Sequence, residues 1–401
     1  MGTRGRRNGR TAGAGLIVIG RRLGVLTAIS LILAGVLALG ISARRHTPAQ
    51  ARAKSAAGLP QAQRPIPSPT AKPVTNVYAA TTGTTVPAYL ARFPERVYVP
   101  DSTDIGMLEV IDPATYAVVT RLRVGHTPYH ITPSWDMTHL YVGNEVSGNL
   151  TTIDPLTGAA VATVPVPHPY NLYFTPDGKT AIVVDEREKQ LVIMDPVAWT
   201  TLGAIPIPWP GVDHLDFSAD GSYLMASTEF AGVVVKVDLV TRSVDGTVAV
   251  GGLPIDIRLS PDGSVFYVAN QGRGGVSVVD PVAMKEVAFI ATGKGAHGFQ
   301  LSRDTTRLYV SNRLEGTISV IDMATRVVVD KWRTGGSPDM MQVSPDGRQL
   351  WISGRFDRAI YVVDTITGAL VKTIHVGMQP HGLAYFPNVG RFSLGHNGVY
   401  R

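Results

Sequence analysis

The amino-acid sequence predicts an all-β fold, a seven-bladed β-propeller of four-stranded blades. Two independent motifs each recur seven times along the chain at a period of about 42 residues. The apolar runs between the motifs are short and rich in Val and Ile, and no long run has helical periodicity. Four short strands per repeat of this length are typical of one propeller blade, and seven blades fit a closed ring.

The residues before the repeats have the composition of an export segment. Residues 1–22 form a basic tail, and residues 23–43 are a run of 21 residues without a charge. A helix of this length, rising about 1.5 Å per residue, can cross a hydrocarbon core of about 30 Å. Because the arginines precede the run, the rest of the chain is expected outside the cytoplasm. We expect an uncleaved single-pass anchor; the alternative, a cleaved signal, would leave the propeller secreted or periplasmic.

Residues 44–93, rich in Pro, Ala and Thr, are predicted to be a linker to the propeller domain at residues 94–401. Thirteen of the 37 basic residues precede the first acidic residue, Glu95, which leaves 24 basic against 31 acidic residues and a net charge of −7 for the rest. A nucleic-acid-binding surface on the propeller is therefore not expected. The absence of cysteine excludes a disulfide framework, a thiol nucleophile and a Cys-ligated metal.

The first motif is an apolar run that ends in Asp, and the second is a turn of the Ser-Pro-Asp-Gly type. The aspartates of the first motif are Asp112, Asp154, Asp195, Asp238, Asp280, Asp322 and Asp364. The second motif is centred at Pro133, Pro176, Ala219, Pro261, Arg303, Pro345 and Pro387. Pro presets φ, Asp bonds its own backbone and Gly accepts positive φ, so the second motif predicts a tight turn.

The order of the two motifs predicts how the ring closes. Asp112 comes before any Ser-Pro-Asp-Gly turn, and the turn at Pro387 has no motif aspartate after it. One blade is therefore shared, with its innermost strand from residues 381–386 and its outer strands from residues 107–111 and 118–124. Residues 96–99 and 391–394 both remain candidates for its fourth strand.

Three copies of one strand carry a family resemblance. They read Leu-Tyr-Val-Gly-Asn at residues 140–144, Phe-Tyr-Val-Ala-Asn at 266–270 and Leu-Tyr-Val-Ser-Asn at 308–312. These motifs resemble the repeat of the YVTN-type propellers, also called YncE-like, over residues 94–401. The resemblance implies the fold, but the motif residues are turn and core residues and leave the activity open.

Polar residues recur where the chain enters each innermost strand, near the axis of the predicted ring. They are His130, Asn171, His214, Asp256, His297, Asp339 and His381, with Asp213 beside them. Imidazoles and carboxylates held together can bind a divalent cation or exchange protons near neutral pH. A hydrated lining of the central funnel, without any ligand, explains the same pattern.

A second predicted ring follows the Tyr-Val-x-Asn strands at the funnel mouth. Its members are Glu145, Glu186, Glu229, Gln271, Arg313 and Arg355, in that order along the chain. Equivalent blades would place the acids on one half of the mouth and the guanidinium groups on the other. This pattern suits a dipolar ligand such as a peptide or an amino-sugar polymer, although ordinary solvated loop charges would look the same.

We therefore expect a monomeric, membrane-tethered binding or scaffold module outside the cytoplasm, whose funnel binds a protein, peptide or glycan of the cell envelope. No catalytic motif such as GxSxG occurs, and we expect no cofactor. The alternative is a metal-assisted enzyme of the lactonase or lyase type. In that enzyme His214, His297 or His381 would act as base, and Asp256, Asp339 or Glu229 would hold a divalent metal.

Overall fold

The computed structural model describes residues 76–401, and the predicted basic tail and hydrophobic run lie outside these residues. The part of the chain that is described contains no helix long and apolar enough to span a bilayer. Its helices are single turns of 3-10 helix at Ala79–Thr81, Ala88–Leu90 and Glu229–Ala231. All remaining regular structure is β-sheet.

Most strands are five to seven residues long, as the short apolar runs of each repeat predict. In chain order they are β1 (Arg96–Asp101), β2 (Met107–Asp112), β3 (Ala117–Arg123), β4 (Pro128–Pro133), β5 (Leu140–Asn144), β6 (Asn149–Asp154), β7 (Ala159–Pro165), β8 (Asn171–Phe174), β9 (Ala181–Asp185), β10 (Gln190–Met194), β11 (Thr201–Pro206), β12 (Val212–Phe217), β13 (Tyr223–Thr228), β14 (Val233–Asp238), β15 (Ser243–Ala249), β16 (Pro254–Leu259), β17 (Phe266–Asn270), β18 (Gly275–Asp280), β19 (Lys285–Ala291), β20 (Ala296–Leu301), β21 (Arg307–Asn312), β22 (Thr317–Asp322), β23 (Val327–Arg333), β24 (Pro338–Val343), β25 (Gln349–Gly354), β26 (Ala359–Asp364), β27 (Leu370–His375) and β28 (Ala384–Phe386).

These strands form seven antiparallel four-stranded sheets, which confirms the predicted seven-bladed propeller. We number the blades from the shared one, which is blade 1. Blade 2 consists of β4 to β7, blade 3 of β8 to β11, blade 4 of β12 to β15, blade 5 of β16 to β19, blade 6 of β20 to β23 and blade 7 of β24 to β27, each in sequence order from the innermost strand outward.

Blade 1 closes the ring in the order β28, β1, β2, β3. Its innermost strand comes from the end of the propeller repeats and its outer three strands from the beginning, as predicted. The second strand of this blade is β1, in which Val97 pairs with Tyr385 on one side and with Ile111 on the other. Residues 391–394, the other candidate for this strand, instead continue beneath the blades.

One apolar cluster fills each of the seven interfaces between neighbouring blades. Between blades 7 and 1, for example, the fully buried Trp351 packs edge-on against Tyr385, with ring centres 5.9 Å apart. The middle strands of each blade are buried on both faces, so they read as continuous apolar runs rather than alternating ones. Burial of the apolar surface between the blades makes the main favourable contribution to the free energy that holds the ring closed.

The two repeated motifs are turns, as their residue types predict. In the Ser-Pro-Asp-Gly turn of blade 5, Asp262 Oδ1 accepts a hydrogen bond of 3.1 Å from the Ser264 backbone N–H, and Gly263 has φ +70°. In the same blade, Asp280 Oδ1 accepts 2.8 Å and 2.9 Å bonds from the N–H groups of Val282 and Ala283. We call the face with both turn types the lower face and the opposite face the upper face.

Residues 387–401, which we call the closing segment, enter the central channel from the lower face. Phe392 stacks on Trp135, and Arg401 Nη2 lies 2.8 Å from Asp216 Oδ1 on the innermost strand of blade 4. Between them the segment rises to Gly395, which bridges to Tyr173 of β8. The segment is largely buried, so it fills the lower part of the channel.

Residues 76–93 also pack against the lower side, although their composition predicts a linker. The Tyr78 hydroxyl donates to the Leu259 carbonyl oxygen at 3.0 Å, and Leu90 and Phe93 join the apolar cluster between blades 1 and 2. These three apolar side chains are buried, and removing them from water gives this stretch a reason to pack against the propeller.

Candidate functional site

The polar residues that begin the innermost strands meet around the axis and are buried. His130, Asn171, His214, Asp256, His297, Asp339 and His381 are each between 0% and 3% exposed. They do not line an open, wet pore, because the closing segment occupies the channel below them. Buried polar groups require hydrogen-bond or ion-pair partners. The polar residues around the axis fall into two groups according to the partners that they share.

Asp339 is the centre of the first group. Its Oδ1 lies 2.7 Å from His297 Nδ1, and its Oδ2 lies 2.7 Å from His381 Nδ1. Arg313 forms an ion pair with the same carboxylate. Burial opposes ionisation of Asp339, but Arg313 and the two imidazoles hold its pKa well below the usual range. Because its oxygens are already engaged, Asp339 has little capacity left for a metal ion.

His297 and His381 are neutral near pH 7. Burial and the neighbouring Arg313 lower the pKa of His297 to about 4, and burial and Arg355 lower that of His381 to about 3. His297 Nε2 is occupied by Arg313, whereas His381 Nε2 has no hydrogen-bond partner among the described residues.

The carboxylates of Asp256 and Asp213 mainly interact with neighbouring groups of the propeller itself. Asp256 accepts 2.8 Å bonds from the backbone N–H groups of Ile257 and Phe299, so it ties blade 5 to blade 6. Burial raises its pKa. Asp213 Oδ1 lies 2.8 Å from Nδ1 of His214. Burial disfavours the charged form of His214, but the Asp213 carboxylate outweighs this and raises the His214 pKa.

The second group contains two residues that the sequence analysis missed, His396 and Asn397 of the closing segment. His396 Nδ1 lies 2.9 Å from Asn171 Oδ1, and its ring stacks on Tyr173. Asn397 Oδ1 lies 3.2 Å from His130 Nδ1. Gly-His-Asn-Gly at residues 395–398 has no counterpart in the repeats, and this departure was the available signal.

Three imidazoles therefore converge beside the axis, from His130, His214 and His396. One ligand atom from each lies within 4.8 Å of the other two, and all three residues are buried. Burial and the neighbouring imidazoles lower the pKa of both His130 and His396. These two rings are neutral at pH 7, and each offers an acceptor nitrogen.

The predicted upper ring lies at the funnel mouth and brings the acids close together. Burial and the carboxylates of Asp213 and Glu229 raise the pKa of Glu186 to about 8. Burial and Asp213 raise that of Glu229 to about 7, although Arg313 opposes this shift. The acids lie on the loops of blades 2 to 4 and the arginines on the loops of blades 6 and 7, so the acidic and basic members occupy opposite sides of the ring.

On the basic side, Arg313 Nη1 donates to Gln271 Oε1 at 3.3 Å. The guanidinium carbon of Arg355 lies 5.7 Å from the ring centre of Tyr129, which packs against Tyr170 with ring centres 4.9 Å apart. Arg355 Nη1 lies 3.8 Å from Asp339 Oδ2, which is longer than a hydrogen bond. The guanidinium group therefore keeps N–H donors for other groups. The funnel thus has an aromatic wall next to a cationic one.

Four apolar side chains stand at the rim of the same funnel and were not singled out by the sequence analysis. Each directly follows a member of the charged ring and is between 48% and 65% exposed: Val146, Phe230, Leu314 and Phe356. Exposed apolar groups gathered around a concave polar site mark a binding surface more often than a random surface does. The funnel mouth therefore combines opposite charges with an apolar rim.

This architecture defines a seven-bladed β-propeller with a polar axial cluster. A family model described as YNCE-like beta-propeller matches residues 71–391, and the chain belongs to this family. The resemblance of the Tyr-Val-x-Asn strands is thereby confirmed. No curated protein matches the sequence.

Solved structures share the fold at low sequence identity. A functionally unknown protein from Desulfotomaculum acetoxidans DSM 771 is 17% identical, with a TM-score of 0.64 over 73% of this chain and 99% of that one. A candidate 6-phosphogluconolactonase from Bacteroides fragilis NCTC 9343 is 20% identical, with a TM-score of 0.61 over 73% and 98%. Hydrazine synthase from Kuenenia stuttgartiensis is 17% identical, with a TM-score of 0.55 over 63% and 88%. Such likeness shows the fold alone.

Proposed function

We propose that this protein is a binding module whose upper funnel holds a dipolar segment of a peptide or protein in the cell envelope. The observation that carries the proposal is the opposition of charge across the mouth. The loops of blades 2 to 4 carry Glu145, Glu186 and Glu229, and the loops of blades 6 and 7 carry Arg313 and Arg355.

The acidic side calls for a cationic group. Burial raises the pKa of Glu145, and crowding among the acids raises that of Glu186 further, to about 8. A ligand ammonium group would relieve this repulsion, because an opposite charge within about 4–6 Å favours the ionised carboxylate. Arg355, which can present a planar pair of donors, supplies the matching end for a carboxylate.

The apolar rim favours a peptide or protein over a glycan. Phe230, Leu314 and Phe356 are large and exposed, and they adjoin the charged ring. Protein interfaces combine aromatic and apolar anchors with a few buried polar contacts in this way. A glycan remains the competing outcome, because aromatic residues such as Tyr129 can also stack on sugar rings.

The proposed location is outside the cytoplasm, tethered to the membrane. The charge-free run at residues 23–43, preceded by arginines, supports this location. The net charge of −7 from Glu95 onward gives no support to a nucleic-acid partner. The partner would thus be an envelope component within reach of the tether.

The alternative of a metal-assisted lactonase or lyase has less support. His214 and His381 are 0% and 1% exposed, so neither imidazole reaches a substrate in the funnel without movement of the structure. A general base has to lie within hydrogen-bond distance of the proton that it removes. The candidate bases therefore fit an internal role better than catalysis at the mouth.

Calorimetric titration of the full chain with short peptides tests the proposal. We expect peptides with free amino and carboxyl ends to bind, and Glu186→Gln or Arg355→Gln to weaken binding at least about 10-fold, the loss expected for one charged contact. Glu188→Gln and Arg348→Gln, which alter exposed charges outside the ring, are matched controls. Binding of chitosan-type oligomers without peptide binding, or equal losses in the controls, would contradict it.

A further inference from the structure

The structure points to a second site, independent of the funnel ligand, at the floor of the funnel. We propose that His130, His214 and His396 bind a divalent transition-metal ion of the Zn²⁺ or Cu²⁺ type. The three residues come from blade 2, blade 4 and the closing segment, and one ligand atom of each lies within 4.8 Å of the others.

Each imidazole has an oxygen close to its Nδ1, which leaves Nε2 as the nitrogen available to coordinate a metal ion. His130 Nδ1 meets Asn397 Oδ1 at 3.2 Å, His214 Nδ1 meets Asp213 Oδ1 at 2.8 Å, and His396 Nδ1 meets Asn171 Oδ1 at 2.9 Å. Histidines that bind metals are almost always oriented in this way, with the second nitrogen on a carboxylate or carbonyl oxygen.

Two of the remaining nitrogens lack a hydrogen-bond partner. Nε2 of His130 and of His214 has no hydrogen-bond partner among residues 76–401. The nearest acidic oxygen to His396 Nε2 is Asp256 Oδ1, at 3.9 Å. Buried nitrogens without partners cost free energy, and a cation shared by the three histidines would satisfy both of them.

The donor set selects the class of metal. Three imidazole nitrogens suit Zn²⁺ and Cu²⁺, whereas Mg²⁺ and Ca²⁺ prefer oxygen ligands. Nitrogens around tetrahedral Zn²⁺, with bonds of about 2.0–2.1 Å, are roughly 3.3 Å apart, so the rings would close by up to about 1.5 Å on loading.

His381 lies beside this group and could become a fourth ligand if its ring moved, although it is not one of the three residues whose ligand atoms converge. Its ring centre lies 4.6 Å from that of His130, its Nδ1 is fixed on Asp339 at 2.7 Å, and its Nε2 is unpartnered among the described residues. Four imidazoles would close the coordination sphere and give the ion a structural role. Because His396 lies on the closing segment, the ion would also fasten that segment inside the channel.

The test measures metal bound by the untagged full chain. We expect about one Zn²⁺ or Cu²⁺ per chain after extensive dialysis, and electron paramagnetic resonance of the Cu²⁺-loaded chain should show several nitrogen ligands. His396→Gln should reduce metal affinity at least about 10-fold, and Asn397→Ala, which removes only the oxygen on His130, about 10- to 100-fold. Asn397→Asp keeps that oxygen and should restore binding. His375→Gln, an exposed histidine of β27, is the control.

Failure of the wild-type chain to bind Zn²⁺ or Cu²⁺ in titrations would overturn the proposal, whatever the fate of the variants. An equal loss of metal from His375→Gln would also overturn it, because it would indicate surface binding. Circular dichroism of each variant distinguishes loss of the ligand from loss of the fold. Peptide titration in the presence of a chelator separates this site from the funnel, since we expect peptide binding to survive metal removal.

Discussion

His396 Nδ1 lies 2.9 Å from the amide oxygen of Asn171, although 225 positions separate the two residues in the chain. The contact joins the closing segment to the innermost strand of blade 3, at the level where all the axial polar residues meet. The channel below this level is filled by protein, and the funnel above it carries the charged ring. The closing segment therefore forms the floor beneath the axial polar residues, and the open mouth lies above them.

The anchor of this floor is the ion pair between Arg401 and Asp216. The two side chains are buried, at a distance of 2.8 Å, and Arg401 also donates to the Phe217 carbonyl oxygen at 2.9 Å. Arg401→Ala would leave a buried carboxylate without its cation, for which the expected loss is about 3–5 kcal/mol in the free energy of unfolding. Urea denaturation of the full chain measures this loss.

Arg391→Ala is the matched control for that substitution. Arg391 lies in the same segment but is exposed, and its guanidinium carbon lies 5.8 Å from the ring centre of Phe392. Its removal should cost no more than about 1 kcal/mol. Equal effects of the two substitutions would mean that the ion pair does not hold the segment in place.

A second prediction concerns the close approach of the segment to blade 3. Gly395 has φ +99°, and a Cβ atom there would lie 2.4 Å from the Leu172 carbonyl oxygen and 2.8 Å from Tyr173 Cα. Gly395→Ala should therefore displace the segment from the channel. Gly158→Ala is the comparison, because Gly158 also has positive φ (+71°) but no heavy atom within 4 Å of its Cβ position.

We expect Gly158→Ala to cost about 1–2 kcal/mol from backbone strain alone, and Gly395→Ala to cost clearly more. Limited proteolysis provides the second measurement, since a displaced segment should be cut near residues 391–401 under conditions that spare the Gly158→Ala chain. Resistance of Gly395→Ala to cleavage, together with a loss no greater than that of Gly158→Ala, would show that blade 3 tolerates the extra atom.

The blades could be predicted from the sequence because their determinants are local and repeated. Turn residues such as Gly263 and buried runs such as that around Val268 recur at a fixed period, and each copy reinforces the others. The sequence left two candidate segments for strand β1, because both are short and both lie next to a break in the repeat. Ring closure resolves this ambiguity in three dimensions, where Val97 pairs with Tyr385.

The axial site was predictable only in part. The strand register placed His130 and His214 at equivalent levels, and they do meet near the axis with ring centres 5.4 Å apart. Their burial was not predictable, because it depends on His396 and Asn397, which lie in a segment without a repeat counterpart. The apolar rim was missed for another reason. In the sequence Phe230 and Phe356 look like core residues of a blade, and only the structure shows that the loops that carry them face solvent.

The final prediction follows from the raised pKa of Glu186, about 8 against an ordinary value of 4.5. Between these values the folded chain keeps a proton on Glu186 that the unfolded chain releases. The free energy of unfolding should therefore fall as pH rises from about 5 to about 8, by at most about 1.4 kcal/mol per pH unit for this group. Glu186→Gln, which cannot ionise, should remove the part of this dependence that Glu186 contributes, whereas the exposed Glu188→Gln should leave it unchanged. Glu229, whose pKa is raised to about 7, contributes a similar part that remains in both variants. Urea midpoints measured across this range decide the matter, and a wild-type slope that survives in Glu186→Gln would assign the titration to another group.

A cationic peptide in the funnel should reverse the trend, because it favours the ionised carboxylate. The affinity of the peptide should rise with pH over the same interval, and binding should release a proton that calorimetry in buffers of different ionisation enthalpy can count.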